Sequence, residues 1–252
     1  MTMSHSFEPA VPVHTYQRIV DQIEQAIVSG NIPVGAQLAS ERDLMGQFGV
    51  SRPTVREALR VLQSRGLLES RPGTRGGPVV LAPSSENLTR SFRAMVGTDV
   101  LSVAELVEYR VVLEGSASRL ASIRHTPEQL ERMRSAVRRM ASEAADNSAG
   151  FIDADLEFHE AIWAASGNNV LRLSGEAVSG VLRGLMHRRI DANPMDGAEK
   201  VASAEIDRGL FDAIEGRDAA RASLIARQAI ADRFADLLES DADRAALRSL
   251  AE

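Results

Sequence analysis

The stretch that most constrains this chain is residues 39–66, ASERDLMGQFGVSRPTVREALRVLQSRG. It reads as two short helices joined by a tight turn. Leu44, Met45 and Phe48 form the apolar face of the first, and Gly49-Val50 makes the turn. Ser51 is suited to cap the second helix, where Pro53 falls in the first turn and costs no intrahelical bond. In that second helix Val55, Ala58, Leu59 and Leu62 recur at helical spacing and must face a core. Arg52, Arg56 and Arg60 fall together on a stripe outside it. A helix with a buried back, an arginine front and a small-residue N-terminus is shaped for a DNA major groove. A solvated amphipathic helix would carry the same stripe, so the flanks have to decide.

Upstream, Tyr16, Ile19, Val20, Ile23 and Ile27 mark a separate amphipathic helix ending at Ser29-Gly30. Downstream, residues 67–71 and 78–81 read as short strands around the glycine-rich tip PGTRGG. Three helices followed by a two-stranded hairpin make a winged helix-turn-helix. Arg71 and Arg75 then sit where a wing meets a phosphate or a minor groove.

The run GNIPVGAQLASERDLMGQFGVSRPTVREALRVLQSRGLL resembles the DNA-binding domain of the GntR family of bacterial transcriptional regulators. The resemblance runs from about residue 14 to residue 81. It implies double-stranded operator DNA as a partner, with Arg42, Arg52, Thr54 and Arg56 at DNA-contacting positions and Gly73 at the wing tip. Ser51, Arg71 and Arg75 complete the expected DNA-binding set. The wing sequence GTRGGPVV is longer and richer in glycine than many in the family.

The net charge of −6 divides unevenly. Between residues 39 and 80 seven arginines face four acids, a local +3 that leaves −9 for the remainder. A small basic patch on an acidic chain suits one domain that binds DNA beside one that does not, with an affinity that falls steeply with salt. The 252 residues suffice for two domains, and 4% aromatic content with abundant Ala, Leu, Arg and Glu favours helices over a sandwich. The absence of cysteine removes disulfides and thiolate metal sites and fits a reducing cytoplasm. MTMSHSFEPAVPV has neither a basic n-region nor a long apolar run, so the expectation is no signal peptide, no membrane span, and a cytoplasmic, nucleoid-associated protein.

The expected division is a disordered lead over 1–13, the winged domain over 14–82, a linker helix over 83–98, a helical domain over 99–240 and a frayed tail over 241–252. The linker helix carries Leu88, Phe92 and Met95 as its apolar row. Six helices follow. The first runs from the Ser102 cap to about residue 123, with Leu106, Tyr109, Leu113, Ala117 and Leu120 on one face. The second opens at Thr126-Pro127-Glu128 and turns Leu130, Met133, Val137 and Met140 inward. The others span about 150–165, 169–190, 199–215 and 219–238, with a loop over 191–197. The fold class is mainly α: a winged helix-turn-helix followed by an antiparallel helical bundle.

Asp155 and His159 are four apart and share a helix face, continued by Trp163. Imidazole and carboxylate on an inward face make half a site for one divalent metal such as Zn, Ni or Mn; on an outward face they make an ordinary ion pair. Arg110 and Glu114 lie on the first bundle helix, and Arg183, His187 and Arg188 on the fourth. A buried arginine is the natural bidentate partner of a carboxylate.

ELVEYRVVLEGSASRLA, DLEFHEAIWAASGNNVL and the turn at residues 213–218 are similar to the FCD ligand-binding domain of the FadR-type branch of the GntR family. The resemblance implies a seven-helix domain with the linker counted, a metal site begun by Asp155 and His159, and a pocket for a small carboxylate metabolite. Arg110, Asp155, His159, Arg183 and Asp207 are the expected effector-binding residues. The family usually adds two histidines, and the matching positions here are Asp207 and Ala229 or Gln228. A homodimer, with the helical region supplying the contact, is expected because one recognition helix reads few base pairs. An enzyme is not expected: there is no cysteine, GxSxG, phosphate loop or strand framework. The alternative is an architectural DNA-binding protein without an effector.

Overall fold

The computed structural model of the chain describes residues 15–70, 76–144, 148–192 and 196–252. Its contacts fall into two units, one ending at Asn87 and one starting at Leu88.

In the N-terminal unit α1 (Thr15–Val28), α2 (Glu41–Phe48) and α3 (Arg52–Ser64) enclose a core of Ile19, Val20, Ile23, Leu44, Val55, Leu59 and Leu62. Ser40 caps α2 by accepting the Asp43 amide, and Gly49 ends it at φ 64°, a left-handed conformation that glycine adopts without a Cβ clash. Ser51 has the cap backbone of α3, but its hydroxyl pairs with Thr54 Oγ1 at 2.9 Å instead of accepting a backbone amide. Strands β1 (Leu68–Glu69) and β2 (Val79–Val80) pair antiparallel, with Leu68 opposite Val80. The loop before α2 adds a further edge: Gln37 bridges Val79, and Leu38 N–H donates to Pro78 O at 2.9 Å. Nothing in residues 36–39 alternates strongly enough to announce that edge. The expected wing residues Arg71, Gly73 and Arg75 lie outside the described residues, as does the lead over 1–13.

The C-terminal unit holds most of α4 (Glu86–Gly97), then α5 (Val103–Arg124), α6 (Pro127–Glu143), α7 (Ser148–Ala165), α8 (Asn169–Ala192), α9 (Gly197–Glu215), α10 (Ala219–Phe234) and α11 (Asp241–Ala251). Reciprocal caps start α5 (Ser102 with Glu105), α6 (Thr126 with Gln129) and α9 (Asp196 with Glu199), each satisfying amides that a helix start leaves open. Helix α5 is the central element. Helices α10, α7, α8, α9 and α11 all pack on it.

That centrality corrects one expectation. Leu106, Leu113 and Ala117 are buried, but Tyr109 is 43% exposed. A helix covered on nearly every side keeps only a narrow outward row, here Glu105, Tyr109, Val112, Ser116, Arg119 and Ile123, and Tyr109 falls on it. Leu120 is half-buried. On α4, Met95 points outward, and Val96 packs with Phe92 against the second core cluster. The tail expected to fray over 241–252 is α11, capped by Ser240 and seated through Leu247 and Ala251. Two buried positions one turn apart in a charged, alanine-rich stretch are too few to show as a period. Helix α8 extends to Ala192, into the expected loop.

Candidate functional site

The first candidate surface is the front of α3. Arg52, Arg56 and Arg60 are exposed on it, opposite the buried Val55, Ala58, Leu59 and Leu62. Glu41 of α2 reaches across: Arg52 Nε lies 2.9 Å from its Oε2 and Arg56 Nε 3.7 Å from its Oε1. With Arg42, Gly76 and Gly77 these arginines line a recess of about 480 Å³. Thr54 is half-buried at the helix start, held by Ser51. Exposed guanidiniums on a rigid helix, Arg52 and Arg56 paired with the partly exposed Glu41 and Arg60 with the exposed Glu57, are free to exchange those partners for phosphate or base edges.

The second is a charged centre inside the helical unit. Arg110 on α5 is buried and donates through Nε and Nη2 to Glu114 Oε1 at 3.3 and 3.1 Å. Its Nη1 donates to Ser179 Oγ on α8 at 2.7 Å. The Trp163 and Phe234 rings lie 5.4 and 5.6 Å from the guanidinium carbon, within cation–π range. The other Glu114 oxygen lies 3.2 Å from His159 Nδ1 on α7, whose Nε2 is 3.9 Å from Asp155 Oδ1. Arg233 on α10 then closes the centre. Its Nη1 is 2.6 Å from Asp155 Oδ1 and its Nη2 3.5 Å from Asp207 Oδ2 on α9.

Burial opposes every charge here, and the neighbours decide the outcome. Burial raises Glu114, but His159 and Arg110 hold it below the usual carboxylate range. Burial likewise raises Asp155, yet Arg233 and His159 bring it below its ordinary value. His159 would lose its proton on burial, but Glu114 and Asp155 keep its pKa raised. Asp207 is pushed up to about 6 by burial and by the adjacent Asp155.

The expected effector residues Arg110, Asp155, His159 and Asp207 are therefore brought together, while Arg183 is not. Arg183 lines a separate shallow recess with Arg139, Asp153, Glu157 and Glu160. The side chains of His187 and Arg188 lie outside the described residues. Sequence reasoning missed Arg233 and Ser179. The available signal for Arg233 was its place one turn after Ala229, on the same face of the last long helix.

Asp155, His159 and Asp207 each offer one ligand atom, all within 4.8 Å of one another. His159 Nδ1 toward Glu114 would leave Nε2 facing an ion, an orientation common in metal sites. The donors fit a divalent cation in number and kind. The space between the two carboxylates, however, is spanned by Arg233, a permanent cation, and with that side chain in place the set does not fit a metal.

Fold and sites together define a winged helix-turn-helix regulator with an all-helical second domain. The chain belongs to the GntR family of bacterial regulatory proteins: residues 15–76 match the family's own domain and residues 105–232 the FCD domain. It is 34% identical over 158 residues to the HTH-type transcriptional repressor NanR of Shigella sonnei, covering 61% of this chain and 59% of that protein. NanR of Escherichia coli O1:K1 matches to the same extent. The chain thus aligns with about 59% of the length of these curated relatives. Among solved structures, a Streptococcus agalactiae GntR superposes with a TM-score of 0.61 at 26% identity, covering 85% of this chain and 96% of that one. Both curated relatives are named as transcriptional repressors. Among the described residues no helix is long and apolar enough to cross a membrane.

Proposed function

We propose that the chain is a cytoplasmic transcriptional repressor that binds operator DNA as a homodimer, and that a small carboxylate metabolite in the helical domain changes its operator affinity. Arg42, Ser51, Arg52, Thr54 and Arg56 are the described DNA-contacting residues, and Arg71, Gly73 and Arg75 serve on the wing. The relatives' naming as repressors supports the sign of the regulation. The observation that carries the effector reading is the buried centre of Arg110, Asp155, His159 and Asp207. A core stabilised only by packing has no need of charges that cost desolvation, so their retention points to a ligand. Among the described residues Arg110 bonds only Glu114 and Ser179, which leaves one N–H on each terminal nitrogen to receive an acid.

Helix α4 is suited to carry the signal. Arg93 Nη2 donates to Gly180 O at 3.3 Å, and Gly180 follows Ser179, the residue that anchors Arg110. A Cβ on Gly180 would stand 2.9 Å from Thr89 Cγ2, so a larger residue there would force the Thr89 side chain or α4 to shift. An acid that shifts Arg110 moves Ser179 and hence the seat of α4. Such a coupling requires the acid to prefer one of two placements, and about 1–3 kcal/mol corresponds to roughly 5–150-fold in operator affinity.

The test is operator binding by fluorescence anisotropy across a panel of small organic acids, with calorimetry on the same acids. One acid is expected to bind the protein and shift operator affinity. In Gly180→Ala the acid should still bind while the shift shrinks. If no acid in a broad panel binds, the effector reading fails and the architectural alternative stands.

A further inference from the structure

We infer that Arg233 is the resident cation of the helical domain, occupying the place among Asp155, His159 and Asp207 that a divalent metal would need, so that the wild-type chain holds no metal there. The argument begins with geometry. The guanidinium fork reaches both carboxylates, 2.6 Å to Asp155 Oδ1 and 3.5 Å to Asp207 Oδ2. These are two of the three groups that offer clustered ligand atoms. An ion able to reach all three has to enter the volume the fork crosses.

Charge gives the second reason. Arg110 is matched by Glu114 and Arg233 by Asp155, while His159 lies beside Glu114 and Asp155 with Asp207 in the same cluster. The centre already sets two permanent cations, Arg110 and Arg233, against its three carboxylates, and a divalent ion in the cluster would add two positive charges beside Arg233. Arginine cannot give up its proton to make room, as a lysine or histidine can. The third reason is the donor set. Of the two positions where the family resemblance places a histidine, one is Asp207, which pairs with Arg233, and the other falls at Ala229 or Gln228, about one turn before Arg233. At those positions the chain offers no imidazole, and Arg233 brings a guanidinium to the carboxylates instead. An acidic ligand would then meet a planar hydrogen-bonding fork instead of a Lewis acid.

The inference rests on this cluster being the domain's binding site, and its test is independent of any effector. The full chain, purified without an affinity tag or chelator, is analysed for bound metal and titrated by calorimetry with Zn²⁺, Ni²⁺ and Mn²⁺. The wild type is expected to hold no equivalent dependent on Asp155 or His159. Arg233→Met, which keeps the length and loses the charge, is expected to gain one equivalent with at least tenfold higher affinity. Adding His159→Ala should abolish that gain. One metal per wild-type chain, lost in Asp155→Asn, overturns the inference, as does a folded Arg233→Met chain that binds nothing. If Arg233→Met does not fold, the wild-type analysis decides alone: a metal held by Asp155 and His159 refutes the inference, and its absence there supports it. A wild-type chain that binds no acid would unseat the effector reading and leave the metal result standing.

Discussion

Arginine is used in opposite ways in the two units. On α3 the side chains of Arg52 and Arg56 are 67% and 54% exposed and share one partly exposed glutamate. In the helical unit Arg110 is 6% exposed and Arg233 19%, each against a carboxylate and, for Arg110, between two aromatic rings. The same functional group is kept available in one place and committed in the other. Exposed pairs contribute about 0–1 kcal/mol, so a partner can be exchanged at little cost. Removing one member of a buried pair strands the other charge, at a cost of about 3–5 kcal/mol. The surface therefore suits recognition of an incoming polyanion, whereas the centre suits holding a fixed geometry until a specific ligand competes.

The largest effect that tests this contrast is on stability. Arg110→Ala leaves Glu114 fully buried with His159 as its remaining cationic neighbour, and urea unfolding should show a loss of about 3–5 kcal/mol. For a unit of this size that is about 10 °C in Tm. Arg52→Ala should change stability by less than about 0.5 kcal/mol. Equal losses in the two variants would erase the distinction. It follows that Arg110→Ala is a poor probe of effector binding, because a lost response could reflect a damaged core. Ser179→Ala, which removes only one of the arginine's partners, is the milder choice.

The next effect is on DNA. Arg52→Ala and Arg56→Ala should each weaken operator binding by about 1–3 kcal/mol per site and relax sequence preference, as side chains at base edges do. Side chains that meet only phosphate would instead weaken all sequences alike and lower the salt slope by about one. Binding curves on operator and random duplex at several salt concentrations separate the two.

How much of this was legible follows the same division. The α2–α3 hairpin is written locally, in the Ser40 cap, the left-handed Gly49, the apolar back of α3 and arginines one turn apart. The bundle helices are also local, because reciprocal caps such as Ser102 with Glu105 mark their starts. The buried centre was legible only in pairs four residues apart, Arg110 with Glu114 and Asp155 with His159. Their assembly depends on how α5, α7, α9 and α10 pack, and no spacing encodes that. Arg233 stayed hidden because an arginine near a helix end is ordinarily solvated, and only Asp155 and Asp207 from other helices make it otherwise. Arg183 lies apart from that centre for the converse reason: its helix enters the core, but it sits on the face toward Glu160. Tyr109 failed because period alone cannot locate the exposed row of a helix buried almost all round.

The smallest effect concerns Glu41, the residue that makes α3 different from a bare row of cations. Its two oxygens sit against Arg52 and Arg56, occupying donors that phosphate would use. In Glu41→Gln the negative charge goes, while an amide of the same shape remains. Folding should be unchanged within about 0.5 kcal/mol, since an exposed pair of this kind contributes little. Binding to random DNA should strengthen by less than about fivefold, because one repulsive charge is removed beside the backbone and non-specific binding is almost wholly electrostatic. Operator binding should strengthen less than that, since it also uses base edges and needs the guanidiniums aimed. The ratio of operator to random affinity therefore falls. If both affinities drop instead, Glu41 is chiefly aiming the arginines, and the α3 surface is more preorganised than its exposure implies. If operator affinity rises while random affinity does not, Glu41 repels a base and not the backbone, and the partner exchange assigned to this face is wrong.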